Sequence, residues 1–424
     1  MPGVENKAAV AGPSVHGVDL GRLHRERVAR AQQSLQDRGI AAALLFNPLN
    51  VRYVSYPGLA IVATFHMTFR WALLPAEGKV VLWDSFPSGA DPHLFTAGNG
   101  ADPKGREVMI GVPQYFTGTV RLAHGFSYFP CGSAAAASVR SFTAEIVDAL
   151  KERGLLGEKI AIDRLDGSAF VALSGAGVQI CDGQTPLEHA RSVKTSDELA
   201  ILRDNARTAA RGLDALQWRL RPGVAENQLW GTFMGSAMSN GAEWGQTRML
   251  SSGPRTNPWM QEATDRVVQA GELVGIDTDL CGRMGYMTDV SRTYLCGEGA
   301  ATDQQRRLYH DAYEFVHGNI PEMRVGASYV ELGERLGARF PKQYYDQRYV
   351  LLAHGVGVCD EFPAVTWGNN HEGELQAGMV ISVEAYCGVV GGTEGVKLEE
   401  QVIVTDDGPE IISDCANHDE RLFA

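Results

Sequence analysis

The sequence predicts an α+β catalytic domain preceded by a smaller α/β domain. Helix and strand signals alternate up to about Gln184, which is typical of an α/β domain. From Lys194 onward, two consecutive helical patterns precede strand-rich sequence, which is typical of an α+β domain. The chain of 424 residues suffices for two or three domains. We therefore expect a flexible leader at residues 1–18, a first domain at residues 19–190 and a second at residues 191–424.

Composition and charge restrict the partners that this protein can have. Hydrophobic residues make up 44% of the chain and charged residues 21%, which indicates a soluble globular protein. A net charge of −13 argues against nucleic acid as a partner, because phosphate binding requires a basic surface. No apolar run approaches the roughly 18 residues that a membrane helix needs, so we expect no membrane partner.

The compartment can also be predicted. The leader carries both signs of charge and lacks the apolar segment of a secretory signal. The seven cysteines are scattered without a CxxC pair, which fits a reducing environment better than a disulfide framework. We therefore expect a cytoplasmic protein.

In the first domain, the pattern predicts a helix followed by short strands. Apolar residues at helical spacing indicate an amphipathic helix at Leu23–Gln36. Ala41–Phe46 is a candidate for a buried strand, and Asn47–Asn50 has the composition of a turn. Two later apolar segments, Trp71–Leu74 and Lys79–Trp83, indicate a hairpin.

The second domain begins with two predicted helices. Thr195 and Glu198 have the spacing of a capping box, in which each side chain satisfies a backbone N–H of the first helical turn. Pro222-Gly223 ends this helix, and Val224–Asn240 predicts the second one.

Three acids in the second domain lie in apolar surroundings. Asp277, Asp279 and Asp289 are set into two predicted strands, Leu273–Ile276 and Val290–Leu295, joined by a turn that contains glycine. An unpaired charge buried among apolar residues is strongly unfavourable. Few basic residues lie nearby in the sequence, so a bound divalent cation is the simplest countercharge.

The spacing of these acids supports a shared site. Asp277 and Asp279 are two residues apart, which places two strand side chains on the same face. The interval from Asp279 to Asp289 allows a hairpin return. The sequence leaves open the alternative that the acids cap turns or pair with Arg283 and Arg292.

Three further segments of the second domain place a polar side chain in an apolar strand. His354 follows an apolar run and precedes Gly355 and Gly357, while Glu384 and Glu399 each lie within an apolar strand. With the three aspartates, they form an oxygen-rich set that contains a single nitrogen. Such a set suits Mn, Fe, Co or Zn, and fits a two-metal site more comfortably than a one-metal site.

The order of these clusters resembles the pita-bread family that includes methionine aminopeptidase, prolidase and creatinase. Members of that family carry Asp, Asp, His, Glu and Glu in phrases similar to residues 285–293, 354–357, 378–384 and 396–399. Residues 22–60 and 191–225 also resemble creatinase and prolidase, including Asn50-Val51-Arg52-Tyr53. The resemblance implies a pita-bread catalytic domain, a creatinase-like first domain, and the metal ligands Asp279, Asp289, His354, Glu384 and Glu399.

The chain departs from the peptidases of this family at three positions. Asp360-Glu361 takes the place of a second His and its following Glu, one residue closer to His354. Asp277-Thr278-Asp279 replaces an Asp-x-Gly phrase, which makes Asp277 a sixth candidate ligand or an acid that tunes the ligands from outside. Glu384-Ala385-Tyr386 replaces Glu-Pro-Gly. Together these changes are similar to the DddP-type dimethylsulfoniopropionate lyases, a branch of the same fold that cleaves a C–S bond.

This resemblance implies roles for three more residues. Asp360 would be the base that removes a proton α to the substrate carboxylate, and Tyr349 would line the site. Aromatic faces could hold the sulfonium of a zwitterionic substrate by cation–π contact, for which Trp71, Tyr349 and Trp259 are candidates. The residues alone leave open that Asp360 pairs with Arg348 or caps a turn, and that Tyr349 belongs to the core.

Two other functions remain open from the sequence. One is a C–N hydrolase of the Xaa-Pro dipeptidase or creatinase type, and the other is a binding protein without catalysis. The resemblance further implies a homodimer and one or two divalent metal ions, with iron first among the candidates and Mn, Co or Zn as alternatives.

Overall fold

A computed structural model of the chain describes Val15 and residues 17–55, 70–84, 96–101, 107–112, 115–122, 132–368 and 371–423. Residue contacts divide the chain into two compact units, Met1–Arg191 and Ser192–Ala424. Most of the expected leader lies outside the described residues. The domain limits at 19–190 and 191–424 stay predictions.

The first unit combines helices with a mixed sheet. Its described helices are α1 (Leu20–Gln36), α2 (Pro48–Val54), α3 (Gly132–Lys151), α4 (Gly167–Gly175) and α5 (Gln184–Ser192). Its described strands are β1 (Ala42–Leu45), β2 (Arg70–Pro75), β3 (Val81–Asp84), β4 (Thr96–Ala101), β5 (Glu107–Val112), β6 (Thr119–Leu122), β7 (Lys159–Ile162) and β8 (Gln179–Asp182).

Six of these strands form one sheet in the order β6-β3-β2-β1-β7-β8. β1 pairs with β2 in antiparallel and with β7 in parallel orientation, and β2 and β3 form the predicted hairpin. The turn predicted at Asn47–Asn50 is wrong, because helix α2 begins there. Asn47 is its N-cap and accepts a hydrogen bond from the Leu49 N–H, and Pro48 occupies the first helical position, where proline is tolerated.

The second unit contains the helices α6 (Ser196–Arg219), α7 (Glu226–Ser239), α8 (Asp303–Asn319) and α9 (Tyr329–Arg339). Its strands are β9 (Trp244–Gly245), β10 (Leu250–Ser252), β11 (Leu273–Asp277), β12 (Leu280–Cys281), β13 (Met287–Thr288), β14 (Ser291–Leu295), β15 (Leu351–Val356), β16 (Asp360–Thr366), β17 (Val380–Gly388), β18 (Gly395–Thr405) and β19 (Gly408–Ile411). This mixture of helices and antiparallel sheets confirms the predicted α+β class.

The sheets of the second unit provide the frame for the candidate site. A five-stranded sheet has the order β16-β15-β17-β18-β19, and two three-stranded sheets have the orders β10-β11-β14 and β13-β12-β9. The capping box predicted at the start of α6 is present, with Thr195 and Glu198 as its members. Within the described residues, no helix combines the length and the apolar character that crossing a bilayer requires.

Alternation along β17 and β18 separates the core from the polar face of the sheet. Ile381, Val383 and Ala385 of β17 belong to a core cluster that also contains residues of α8 and α9. Successive strand residues point to opposite faces, so Glu384 lies on the other face. The same alternation in β18 places Lys397 and Glu399 together, opposite the core residue Leu398.

Candidate metal centre

The first group of acids comes from the β11 and β14 pair. These strands are antiparallel, with Asp277 opposite Ser291, which confirms the expected hairpin return. The turn between them is fixed by Thr278, whose hydroxyl donates to the Thr288 carbonyl and accepts from the Val290 N–H. Asp289 is thereby held beside the end of β11.

Asp279 reaches the same group by a route that the sequence did not predict. Strand β11 ends at Asp277, and Asp279 has a φ of 35°, in the left-handed region that non-glycine residues seldom adopt. The two-residue strand periodicity therefore does not apply between Asp277 and Asp279. The Thr247 hydroxyl donates to the Asp279 carboxylate, and single ligand atoms of Asp277, Asp279 and Asp289 lie within 4.8 Å of one another.

The second group of polar residues comes from the five-stranded sheet. Glu384 of β17 lies directly opposite Glu399 of β18, and His354 of β15 lies opposite Ser382 of β17. The Nε2 of His354 is 3.4 Å from Glu399 Oε1, 3.6 Å from Glu384 Oε1 and 3.5 Å from Asp289 Oδ2. This imidazole therefore joins the acids of the sheet to those of the hairpin.

The other ring nitrogen of His354 fixes its orientation. Nδ1 lies 3.1 Å from the carbonyl oxygen of Gly355. Because a carbonyl can only accept, Nδ1 must carry the proton in this contact. The lone pair of a neutral ring is then on Nε2, facing the carboxylates, which is the arrangement of a metal-binding histidine.

Several buried oxygens of this cluster lack partners. Within the described part of the chain, no hydrogen bond reaches the atoms Asp277 Oδ1, Asp289 Oδ1, Glu384 Oε1 and Glu399 Oε1. A buried carboxylate oxygen without a donor is unfavourable. A divalent cation would satisfy all of them, since carboxylate oxygens and one imidazole are ligands of Mn, Fe, Co and Zn. The donor set therefore fits a divalent metal.

Burial and neighbouring carboxylates raise the pKa values of several of these residues. Burial, reinforced by the negative charge of Asp277, raises the pKa of Asp279 to about 8. Burial and the charge of Glu399 likewise raise the pKa of Glu384 to about 8, although Lys397 opposes them. Burial also raises the pKa of Asp289 well above its ordinary value. By themselves these carboxyls therefore retain protons that a bound cation would displace.

His354 and Glu399 shift in the direction of an ion pair. Burial favours the neutral imidazole, but the carboxylates of Glu399, Asp360 and Glu384 outweigh it and raise the pKa of His354 to about 10. Burial favours the neutral form of Glu399 as well, yet Lys397 and His354 hold its pKa down at about 2. Glu399 therefore stays ionised at neutral pH.

Lys397 is the site residue that the sequence analysis missed. It is 1% exposed, and its Nζ lies 2.8 Å from Glu384 Oε2, 3.1 Å from Glu399 Oε2 and 3.4 Å from Asp277 Oδ2. Few basic residues lie near these acids in the sequence, but the fold brings the Lys397 ammonium against three of them. Lys397 precedes Glu399 by two residues in one strand, so the period of two could have identified it.

Asp360 lies at the rim of this cluster. It begins β16, at the hairpin with β15, and its Oδ1 is 3.8 Å from His354 Nδ1. Its side chain is 41% exposed, whereas those of the six candidate ligands are buried. Partial burial raises the pKa of Asp360, and the charge of Glu399 adds to this, although the His354 imidazole opposes both. The residue is thus an accessible proton acceptor beside a buried donor set.

The predicted aromatic residues lie in different places. Tyr349 is half-buried, and its ring centroid is 5.4 Å from the Lys397 ammonium, so it borders the cluster. Trp259 stacks on Tyr386, with Lys397 5.9 Å from its ring. Trp71 is 0% exposed in the core of the first unit, where it stacks on Trp83. The described ring contacts of Trp71 lie within that core. Its contact with substrate stays a prediction.

The arginine pairings that the sequence left open do not occur among the residues that the structure describes. Arg283 pairs with Asp204, and Arg292 pairs with Glu400 at 2.8 Å. Arg348 lies over the ring of Trp367, 4.5 Å from its centroid. Among the described contacts, none of these arginines neutralises a candidate metal ligand or Asp360.

Comparison with solved structures supports the fold. The structure superimposes on a Xaa-Pro dipeptidase from Bacillus anthracis with a TM-score of 0.71, covering 94% of this chain and 99% of that one at 20% identity. A prolidase from Thermococcus sibiricus gives a TM-score of 0.73 and 19% identity, with 93% and 98% coverage. At these identities the similarity concerns the fold alone.

Sequence comparison identifies the class of protein. Residues 200–406 match metallopeptidase family M24. A relative from Roseovarius nubinhibens is 32% identical over 92% of this chain and 86% of its own length. The chain therefore belongs to the pita-bread family of M24 metallopeptidases and their relatives, as its motifs predicted. The Roseovarius relative and another from Roseobacter denitrificans, also 32% identical with the same coverage, are both dimethylsulfoniopropionate lyases named DddP.

Proposed function

We propose that this protein is a metal-dependent lyase that converts dimethylsulfoniopropionate to dimethyl sulfide and acrylate. The observation that carries the proposal is the position of Asp360. Its partly exposed carboxylate lies 3.8 Å from the imidazole of a buried candidate metal ligand, His354. The two relatives that carry the lyase name, which match 92% of this chain, support the same reaction.

The reaction requires a base at one carbon of the substrate and a leaving group at the next. A carboxylate oxygen of Asp360 takes the proton from the carbon α to the substrate carboxylate. The electron pair of the broken C–H bond forms the double bond between the α and β carbons. The C–S bond breaks at the same time, and its electron pair leaves with the sulfur. The products are acrylate, neutral dimethyl sulfide and protonated Asp360, which returns its proton to water.

The candidate ligands determine where the substrate lies. A divalent cation held by these residues would supply a positive charge for the substrate carboxylate and would stabilise the negative charge that develops as the C–H bond breaks. We propose Asp277, Asp279, Asp289, His354, Glu384 and Glu399 as the residues that hold it. Iron is the metal that the family resemblance favours, and Mn, Co or Zn suit the same donors.

The cationic end of the substrate requires a different surface. A sulfonium carries a positive charge that aromatic faces attract. Tyr349 borders the acid cluster and is only half-buried, so its ring can take part in the wall of the pocket. Trp71 is the second aromatic residue that we propose for this role. We also propose a cytoplasmic homodimer, on the basis of the scattered cysteines and the family resemblance.

A second candidate function is hydrolysis of Xaa-Pro peptides. It is favoured by the M24 match over residues 200–406, which contain the whole candidate ligand set. A peptidase of this family uses a second histidine beyond the metal-binding one to stabilise negative charge on the substrate oxygen. This chain has Asp360 and Glu361 there, which accept protons and do not donate them when ionised. The substitution favours proton abstraction.

One experiment separates the two functions. Full-length protein reconstituted in turn with Fe²⁺, Mn²⁺, Co²⁺ and Zn²⁺ is given dimethylsulfoniopropionate, and dimethyl sulfide is measured by headspace gas chromatography. The same preparations are given a panel of Xaa-Pro dipeptides. We expect dimethyl sulfide and no dipeptide cleavage. Dipeptide cleavage without dimethyl sulfide would overturn the proposal in favour of the hydrolase.

A further inference from the structure

A second cluster of potential metal ligands lies on three separate elements of the second unit. It consists of His317 from α8, Glu400 from β18 and His418 from the C-terminal segment. One ligand atom from each of the three lies within 4.8 Å of the other two. These residues take no part in the proposed reaction, since Glu400 and its neighbour Glu399 point to opposite faces of β18.

The spacing of the donor atoms is that of a metal site. Glu400 Oε1 is 3.0 Å from His418 Nε2 and 3.6 Å from His317 Nε2. Ligands at about 2.0–2.1 Å from a tetrahedral Zn²⁺ are about 3.3 Å apart. The candidate metal centre has similar separations, 3.4 to 3.6 Å between His354 Nε2 and its carboxylates. The donor atoms of the second cluster are therefore about as close together as those of the candidate metal centre.

Both imidazoles are held in orientations that suit a ligand. Nε2 of His418 lies 3.0 Å from Glu400 Oε1, so without an ion it donates its proton to that carboxylate, and the Tyr309 hydroxyl, 2.7 Å from Nδ1, donates to the other ring nitrogen. An ion in the cluster would take the place of the Nε2 proton. The His317 ring stacks on Tyr313, with centroids 3.9 Å apart. Nε2 of His317 is buried and has no hydrogen-bond partner in the described part of the chain, although it faces Glu400. An ion would satisfy that nitrogen.

The carboxylate of Glu400 is anchored from its inner side. Arg292 Nη2 lies 3.0 Å from Oε2 and 2.8 Å from Oε1, the oxygen that also faces the two imidazoles, and the Ser413 hydroxyl donates to Oε2. The arginine charge disfavours a cation, so binding depends on the two neutral imidazoles in addition to the carboxylate. The side chains of His317 and His418 are 25% and 19% exposed, which leaves an entry path and a position for water as a further ligand.

We propose that His317, Glu400 and His418 form a second, structural metal site for Zn²⁺ or a similar borderline divalent ion. An ion there joins the end of α8 to strand β18 and to the C-terminal segment. Because the three ligands lie on three elements, a bound ion would hold the C-terminal segment against α8 and β18. The ion does not meet substrate, so the site stabilises the fold and takes no part in the elimination.

The test measures metal content and thermal stability, without reference to activity. Full-length protein is stripped with a chelator, titrated with Zn²⁺, desalted and analysed for zinc per chain. His354→Ala provides a background in which the candidate catalytic centre is impaired. On that background we expect His317→Ala to lose one ion per chain and to lose the rise in Tm that Zn²⁺ produces. His310→Ala is the matched control, because His310 is exposed on the same helix and outside the cluster.

Two results would overturn this site. One is equal zinc content in the His354→Ala protein with and without His317→Ala. The other is an equal Tm shift from Zn²⁺ in those two proteins. His418→Ala provides a second variant in case His317→Ala does not fold, and circular dichroism shows whether each variant is folded. An ion lost equally in His310→Ala would indicate adventitious surface binding and would also reject the proposal.

Discussion

The imidazole of His354 has Asp360 on one side, with 3.8 Å between His354 Nδ1 and Asp360 Oδ1, and the buried acids on the other. The proposed base and the candidate metal centre are therefore adjacent but use different nitrogens of one ring. We expect Asp360→Asn to retain the metal content of the native protein. Glu399→Gln should lose most of it, because its carboxylate is a candidate ligand. Elemental analysis of desalted protein checks both, and metal loss in Asp360→Asn would make that residue a ligand.

The buried lysine gives a prediction about stability. Lys397 pairs with Glu384, Glu399 and Asp277, and removing one partner of a buried ion pair typically costs about 3–5 kcal/mol. We expect Lys397→Met to lower the free energy of unfolding by that order in metal-free protein. Added Mn²⁺ should raise the free energy of unfolding of this variant more than that of the native protein, because the cation then faces the unpaired acids. Urea denaturation with and without Mn²⁺ measures this.

Lys194→Met is the matched control for that variant. Lys194 is equally buried and pairs with Glu361 at 2.7 Å, but it contacts none of the candidate ligands. It should be destabilised to a similar extent and gain no extra recovery from Mn²⁺. Equal recovery in the two variants would show that Lys397 has no special relation to the metal.

Arg292 is predicted to support the fold and not the reaction. It is buried, pairs with Glu400, and donates to the carbonyl oxygens of Glu399 and Ala416. Arg292→Met should lower the free energy of unfolding by about 3–5 kcal/mol, because Glu400 is left as a buried charge. Arg248→Ala, which breaks an exposed pair with Glu262, should change it by about 0.5 kcal/mol or less. Similar values for both variants, measured in urea, would contradict this.

The raised pKa values predict how the stability of metal-free protein depends on pH. Asp279 and Glu384 have pKa values of about 8 and His354 of about 10. Between pH 7 and 8 the folded protein therefore retains protons that the unfolded chain has already released. Stability must then fall as pH rises, by at most about 1.4 kcal/mol per pH unit for each retained proton.

Metal-loaded protein is the control for this pH dependence. Burial lowers the pKa of His418, so this residue makes stability rise with pH, but mainly below pH 7. A bound cation requires deprotonated ligands, so the metal-loaded protein should not show the same decline. Tm measured from pH 7 to 8 with chelator and with metal checks this. A rising Tm in the chelated protein would contradict the pKa directions.

The sequence predicted the elements that carry the site because its polar residues were anomalous in apolar strands. Glu384 and Glu399 could be recognised in this way, and the fold places them directly opposite each other. Antiparallel pairing brings together residues that are distant in the chain, and this register is not visible in either strand alone. The order of these clusters matched the pita-bread family, and that resemblance implied which residues are ligands.

Other features could not be predicted from local patterns. The period of two places Lys397 on the same face of β18 as Glu399, but its pairing with Asp277 joins residues that are distant in the sequence and meet only in the folded chain. Asp279 was expected to follow a strand period, whereas the backbone turns into the left-handed region after β11 ends. Asn47-Pro48 has the composition of both a turn and a helix start, and only packing decides between them.

The central claim is that Asp360 removes a proton from dimethylsulfoniopropionate. The most direct measurement compares native protein and Asp360→Ala, both loaded with the same metal and matched for metal content, by recording dimethyl sulfide and acrylate together. We expect equal amounts of the two products from the native protein. In the variant the rate should fall by about 10²–10⁴-fold, as expected for loss of a general base. Unchanged release of dimethyl sulfide by Asp360→Ala would contradict the claim.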